Sequence, residues 1–323
     1  MTVATPVTGF QGYVQYGKET TWGTEATTIA SAFGKEQSIE IIPEYEIQRI
    51  FGAGSRNAQA LSSGRFKGMF NMNFTLGTSH WMAAVLGSSS TSGTNPYVHT
   101  YSEANILPSI TVEAGLDLDT DSVRKFLGTQ INEMTMTGRT GDPIRVSLNC
   151  LYKTETEGTN FDSNPATDAE TPMTFANATI ECPDGTQIDI MDSFTVRVLN
   201  NVRMIVGCGS GLPQARVFGQ RVYEITYSGT YNQALDFLEK FYGGSTGPVS
   251  QPAETATIQF NITNGLSGAD ERHIILDFNN IRIPAHAVRF DGSGEPVMED
   301  VTIWARGTAQ FKGEDNTATT IFD

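Results

Sequence analysis

Ile50-Phe51-Gly52-Ala53-Gly54-Ser55-Arg56-Asn57-Ala58-Gln59-Ala60, closing on Gly64, decides how this chain is read, because the chain nearly says it again 155 positions later. Ile205, Gly207, Gly209, Ser210, Gln214, Ala215 and Gly219 repeat Ile50, Gly52, Gly54, Ser55, Gln59, Ala60 and Gly64. With Ser38/Ser193 and Thr75/Thr230 there are nine identities over the 38 aligned positions 38–75, and no gap. Composition alone gives roughly two. Internal repeats are sought first because a missed one mis-assigns the whole fold. The expectation is one module used twice: residues 1–160, with an N-terminal arm, and a more divergent copy over 161–323.

Working outward, the segment before the stretch alternates apolar and polar residues (Ile39, Ile41, then Tyr45, Ile47), which predicts a half-buried strand over Ser38–Ile47. The stretch itself, with three glycines and several small residues, reads as an extended loop or long hairpin tip rather than a regular element. After it, Phe66, Gly68, Phe70, Met72, Phe74 and Leu76 alternate with Lys67, Met69, Asn71, Asn73 and Thr75, a strand of period two. Ser79–Leu86 follows as a helix, capped by Thr78 or Ser79 and stopped by Gly87. Ser88–Thr94 reads as a turn region. Strands are expected at Val98–Tyr101, Ile110–Leu116, Leu127–Thr137 and Ile144–Tyr152, then a polar linker over Thr154–Thr171.

The second half repeats this order. Ile188–Val198 is strand-like, Ile205–Gly219 is the loop, Gln220–Thr230 the strand and Asn232–Phe241 the helix. Ile258–Ile262 and His273–Ile283 are strands. Gly294-Glu295-Pro296-Val297 then matches Gly141-Asp142-Pro143-Ile144 ahead of a last strand, Val301–Ala305. The fold class expected is all-β: two tandem barrel or sandwich modules, each with one short flanking helix.

Composition sets the outer limits. The chain has 323 residues, 39% hydrophobic and 18% charged, long enough for two ordinary cores. Its net charge of −15 divides as −4 over residues 1–160 and −11 over 161–323. Such a balance disfavours gripping nucleic acid through phosphates, and disfavours an anionic membrane surface. Three cysteines at wide spacing give neither a disulfide framework nor a zinc signature, so buried thiols are expected. Met1–Gly9 has neither a basic nor an apolar region of signal-peptide type, and no run approaches 18 apolar residues.

The candidate chemistry is sparse. Gly52-x-Gly54-Ser55 and Gly207-x-Gly209-Ser210 look like phosphate loops, but a strand follows each where a helix N-terminus is needed. Asp117, Asp119 and Asp121 begin like a calcium loop, yet Ser122 and Gly128 stand where Gly and Glu belong, so a solvated acidic turn is the better reading. His80, His99, His273 and His286 are scattered, and no Gly-x-Ser-x-Gly elbow occurs. No catalytic residue, cofactor or metal site is expected.

The chain resembles the tail tube proteins of long-tailed bacterial and archaeal viruses. The residues that carry this are Gly17-Lys18-Glu19-Thr20-Thr21-Trp22-Gly23-Thr24, the aromatic strand and helix ending at Leu86-Gly87, and Gly128-Thr-Gln-Ile-Asn-Glu-Met-Thr-Met-Thr followed by Gly141-Asp142-Pro143-Ile144. The second half lacks the Lys-Glu-Thr-Thr-Trp opening. The resemblance implies a virion protein, assembled in the host cytoplasm, whose rings stack into a hollow tube for genome passage. It implies self-association and contact with tape-measure, distal-tail and tail-terminator proteins, with DNA passing unbound. The inter-ring role would fall on Gly52, Gly54, Ser55, Arg56, Gln59 and Gly64, and on Gly207, Gly209, Ser210, Gln214 and Gly219. With two modules per chain, three chains would complete a ring of six, and an acidic lumen would repel phosphates. The alternatives are another β-rich tail protein (distal tail or tail-completion), a carbohydrate-binding or adhesin-like β-protein with exposed aromatic platforms, and a glycosidase with paired carboxylates.

Overall fold

A computed structural model describes residues 12–323 except 55, 183–184, 189, 232–236, 245, 251–255, 291, 293 and 307–309, and the side chain of residue 269. The Met1–Gly9 arm, Ser55 and the first half of the second expected helix therefore lie outside the described residues. In chain order the strands are β1 (Gly12–Lys18), β2 (Lys35–Ile41), β3 (Glu44–Phe51), β4 (Ala58–Thr75), β5 (Gly87–Gly93), β6 (Tyr97–Glu103) and β7 (Ile110–Leu116). Next come β8 (Ser122–Arg139), β9 (Arg145–Tyr152), β10 (Thr154–Gly158), β11 (Ala178–Glu181), β12 (Met191–Leu199) and β13 (Val202–Val206). The last are β14 (Pro213–Phe218), β15 (Val222–Thr230), β16 (Ala256–Thr263), β17 (His273–Arg289), β18 (Met298–Ala305) and β19 (Gln310–Asp315). Two short α-helices accompany them, α1 (Met82–Leu86) and α2 (Phe237–Tyr242). The protein is mainly β.

Eight strands lie side by side, all antiparallel, in the order β2-β4-β9-β8-β12-β15-β18-β17. The order within the first four recurs in the second four. So does the register. Ser38↔Asn73 recurs as Ser193↔Ser228, Thr75↔Arg145 as Thr230↔Met298, and Thr137↔Arg145 as Arg289↔Met298. The two longest strands after β4 bend into a second layer. The first part of β8 joins β10, β7 and β1, and the first part of β17 joins β19, β16 and β11.

The core lies between these layers, because the alternation of apolar residues turns one face of each strand inward. Phe66, Phe70, Met72 and Phe74 of β4, Met134 and Met136 of β8, and Phe194, Val196 and Val198 of β12 are all buried. Burying a phenylalanine or methionine side chain contributes about 1.5–3 kcal/mol relative to exposure. α1 is wholly buried, and Trp81 before it packs edge-on against Phe74 at 5.3 Å.

The two halves share one sheet. Seven pairs, from Ser193↔Arg139 to Leu199↔Glu133, join β12 to β8, and β19 pairs with β6. Phe194 lies so close to Gly138 that a Cβ there would stand 2.3 Å from its ring. Asn200 donates from its amide to the carbonyls of Val85 and Ile131, and Arg221 donates to Leu86 O, so second-half side chains satisfy the end of α1.

Several expectations need correction. Ser38–Ile47 is two strands, because Pro43 follows Ile42 and cannot continue the ladder. Ile50–Gly64 and Ile205–Gly219 are mostly β-hairpin, since their small residues pair across the turn through the backbone. α1 starts at Met82, and neither Thr78 nor Ser79 caps it; the Ser79 hydroxyl bonds Tyr101 instead. Ser88–Thr94 forms β5, apart from Thr94, and Thr154–Gly158 is strand β10 rather than linker. β19 went unread. Cys150 and Cys182 are buried as expected, but Cys208 is exposed.

Candidate assembly surfaces

The two repeated stretches build the same small structure. In the first, β3 and β4 pair as Ile50↔Ala60 and Phe51↔Ala58, across a bulge. In the second, β13 and β14 pair as Ile205↔Ala215 and Val206↔Pro213, with the bulge at the same place. Gly54 and Gly209 have φ of 85° and 84°, a left-handed conformation that a side chain disfavours. Gly52 lies beneath Gln59 and Gly207 beneath Gln214; a Cβ would stand 2.0 Å and 2.5 Å from the respective amide oxygens. Gly64 passes the backbone of Glu46, where a Cβ would stand 2.4 Å from the carbonyl oxygen, and Gly219 passes Asn201 less tightly, at 3.0 Å from its carbonyl oxygen. The repeated residues are those the turn geometry requires. Arg56 is exposed at the first tip, and Ser210 accepts at its hydroxyl from Leu212 N–H at the second.

What surrounds the hairpins differs. The second is seated on the first half: Phe66 N–H donates to Gly211 O at 2.7 Å, and Leu212 packs against the core. The Arg216 guanidinium stands 5.6 Å from the Trp22 ring, whose indole donates to Gly128 O. Burial there lowers the Arg216 pKa. The first hairpin projects, and Tyr45, Ile47, Ile50, Phe51 and Leu61 are each more than half exposed. Grouped apolar side chains of this kind mark an interaction surface.

The open face of the eight-stranded sheet is built from hydroxyl, amide and balanced charge. Asn71 joins Glu40 to Asn149, and Arg197 is held between Glu133 at 2.7 Å and Glu224 at 3.3 Å. Thr135, Thr137, Thr195, Thr226 and Thr302 share that face. Against Glu36, Glu40, Glu133, Glu224 and Asp300 stand Arg139, Arg145, Arg197, Arg282 and Arg289. The face is therefore not acidic, in spite of the net charge.

One cluster escaped the sequence. His80, before α1, His99 of β6 and Asp315 of β19 meet across the junction of the halves: Asp315 bonds His80 at 2.8 Å and His99 at 3.0 Å. A separation of 235 residues hides this from any spacing rule. The Thr91 hydroxyl donates to Asp323 and also lies 2.7 Å from His99 Nδ1, while His99 Nε2 faces Asp315. The cluster is a hydrogen-bonded group at the junction of the halves, with the His99 side chain wholly buried and that of Asp315 nearly so. The acidic run Asp117–Asp121 is a turn in which Asp121 accepts from Leu118 N–H.

Among the described residues the prominent surfaces are thus an open sheet, two sheet edges and a projecting apolar hairpin. A family model described as phage tail tube protein matches residues 9–303, and the chain belongs to that family. It is a structural component of a phage tail, in keeping with its mainly β fold. No curated protein matches it. No helix among the described residues is long and apolar enough to cross a membrane.

Proposed function

We propose that the chain is a tandem duplication of one tail-tube unit, and that it polymerises into stacked rings around a bore through which the genome passes. The observation that carries this reading is the recurrence of strand order and register, β2-β4-β9-β8 then β12-β15-β18-β17, with the two groups joined edge to edge. A head-to-tail joint between like units is heterologous, and repeated by copies of the chain it closes into a ring or winds into a filament. Three chains, six units, then complete a ring. The open sheet face forms the wall of the bore. Its Thr, Ser and Asn side chains, with Arg145, Arg197 and Arg289 already paired with acids, leave little for a phosphate backbone to hold, so the wall needs no excess of acid. The first hairpin, with Gly52, Gly54, Arg56, Gln59 and Gly64 shaping it, reaches a neighbouring copy or ring. The hairpin of Gly207, Gly209, Ser210, Gln214 and Gly219 reaches within the chain. Other tail proteins cap the ends.

The test is electron microscopy of purified protein at high concentration, with native mass spectrometry of any rings. Tubes whose rings hold three chains are expected. Six chains per ring would reject the duplication reading, and persistent monomers would reject polymerisation itself.

A further inference from the structure

Within the chain, the joint between β8 and β12 uses both edges it has available. The equivalent edges at the two ends of the eight-stranded sheet, β2 and the last part of β17, pair on one side only among the described residues. From the intramolecular joint we infer the intermolecular one: residues 287–290 of one copy pair antiparallel with Ile39–Ile42 of the next. This rests on the reading that the chain assembles with itself.

The register follows from the repeat. β12 residues correspond to β2 residues 155 positions earlier, as the pairs Ser38↔Asn73 and Ser193↔Ser228 require. β17 residues correspond to β8 residues 152 positions earlier, as Thr137↔Arg145 and Arg289↔Met298 require. The joint Phe194↔Gly138, Thr195↔Thr137, Val196↔Met136 then becomes Ile39↔Phe290, Glu40↔Arg289, Ile41↔Val288. None of these new pairs was used to set the register, yet each is chemically matched. Glu40 meets Arg289, opposite charges directly across a ladder. Ile41 meets Val288. Phe290 meets Ile39, restoring one aromatic ring at the place where Phe194 covers Gly138 inside the chain.

Two further features agree. Phe290 is 81% exposed in the single chain, the most exposed large apolar side chain among the described residues. Beside β2 lies a groove lined by Val14, Ile39, Ile41, Ala114 and Leu116, which Phe290 would enter from the side of Ile39. The backbone is also ready. Ile42 N–H bonds Met69 O, so by the alternation of a strand Ile39 and Ile41 direct their N–H and C=O groups to the open side. Pro43, without an N–H, ends the joint where β2 itself ends. The occupant is therefore a second copy of this chain, and the contact is an edge that would otherwise stay unpaired.

Cross-linking tests it. Glu40→Cys with Arg289→Cys, in a Cys208→Ser background, places two exposed thiols across the joint. Oxidation of assembled protein should give covalent dimers and higher closed species, and Glu40→Cys with Ala287→Cys, two residues out of register, should give several-fold less. Separately, Glu40→Arg should raise the concentration needed for assembly, and adding Arg289→Glu should bring it back. Phe290→Ala should raise that concentration about tenfold or more, from the apolar surface no longer buried. Tubes that form normally with no cross-link and no charge rescue would overturn this joint and leave the tube reading standing. A parent protein that stays monomeric would overturn both.

Discussion

Asp315 shows how single residues hold the halves together. Burial raises its pKa, but the hydrogen bonds from His80 and His99 outweigh that and hold the carboxyl well below its ordinary value of 3.8. A carboxyl lowered by folding contributes stability that is whole above the ordinary value and is lost as pH falls below it. Urea unfolding at a series of pH values should therefore show stability falling below about pH 4, and the fall should be shallower in Asp315→Asn. Equal slopes would mean the cluster carries no such linkage. Gly138 is the second case. It lies under the rings of Phe194 and Phe175, and both are packed. Gly138→Ala should destabilise the fold by about 1–3 kcal/mol, the usual range for overpacking. A loss under half a kcal/mol would mean the rings yield freely. Neither residue announces itself in sequence: His80, His99 and Asp315 converge only in three dimensions, and Gly138 looks like part of a turn.

Whole elements divide by how their strands are stabilised. β4, β8, β9 and β15 bury one face, so their alternation of apolar residues was legible. β5 (Gly-Ser-Ser-Ser-Thr-Ser-Gly) and β10 (Thr-Glu-Thr-Glu-Gly) bury little side chain and are strands because their backbones pair with β6 and β8. No periodicity marks such strands. The same applies to the hairpins, where glycines and alanines conceal a ladder. A hairpin tip is one of the two readings the residues allow, but the extent of the ladder is not legible; the recurrence is plain, because the same turn geometry calls for the same residue types in both stretches. The first hairpin carries its apolar residues outward, so Phe51→Ser with Leu61→Ser should leave the melting temperature within a few degrees, surface changes being worth about half a kcal/mol or less. The pelletable, polymerised fraction should drop sharply. A variant that unfolds early, or one that polymerises as before, contradicts that role.

At the scale of the molecule, two sequence expectations part company. The proposed tandem organisation rests on one gapless repeat, with the matching registers in its support. The charge of the open sheet face is not legible in the sequence, because net charge says nothing about which face carries it. The chain holds −15 overall, yet its open sheet face sets Glu36, Glu40, Glu133, Glu224 and Asp300 against five arginines. If that face is the wall, polymerised protein should retain duplex DNA weakly and with little dependence on salt. The wall can then be made to bind. Thr137 and Thr226 are exposed on it, and neither has a part in the core. Thr137→Lys with Thr226→Lys adds two positive charges per chain, repeated around every ring. Each added phosphate contact contributes a slope of about −0.9 in log K against log salt for duplex DNA. Tubes of this variant should therefore bind short duplexes at low salt and release them as salt rises, while the parent tubes do neither. Binding that is the same for both proteins would place these threonines outside the bore, and the sheet face would have to be assigned to the outer surface of the tube instead.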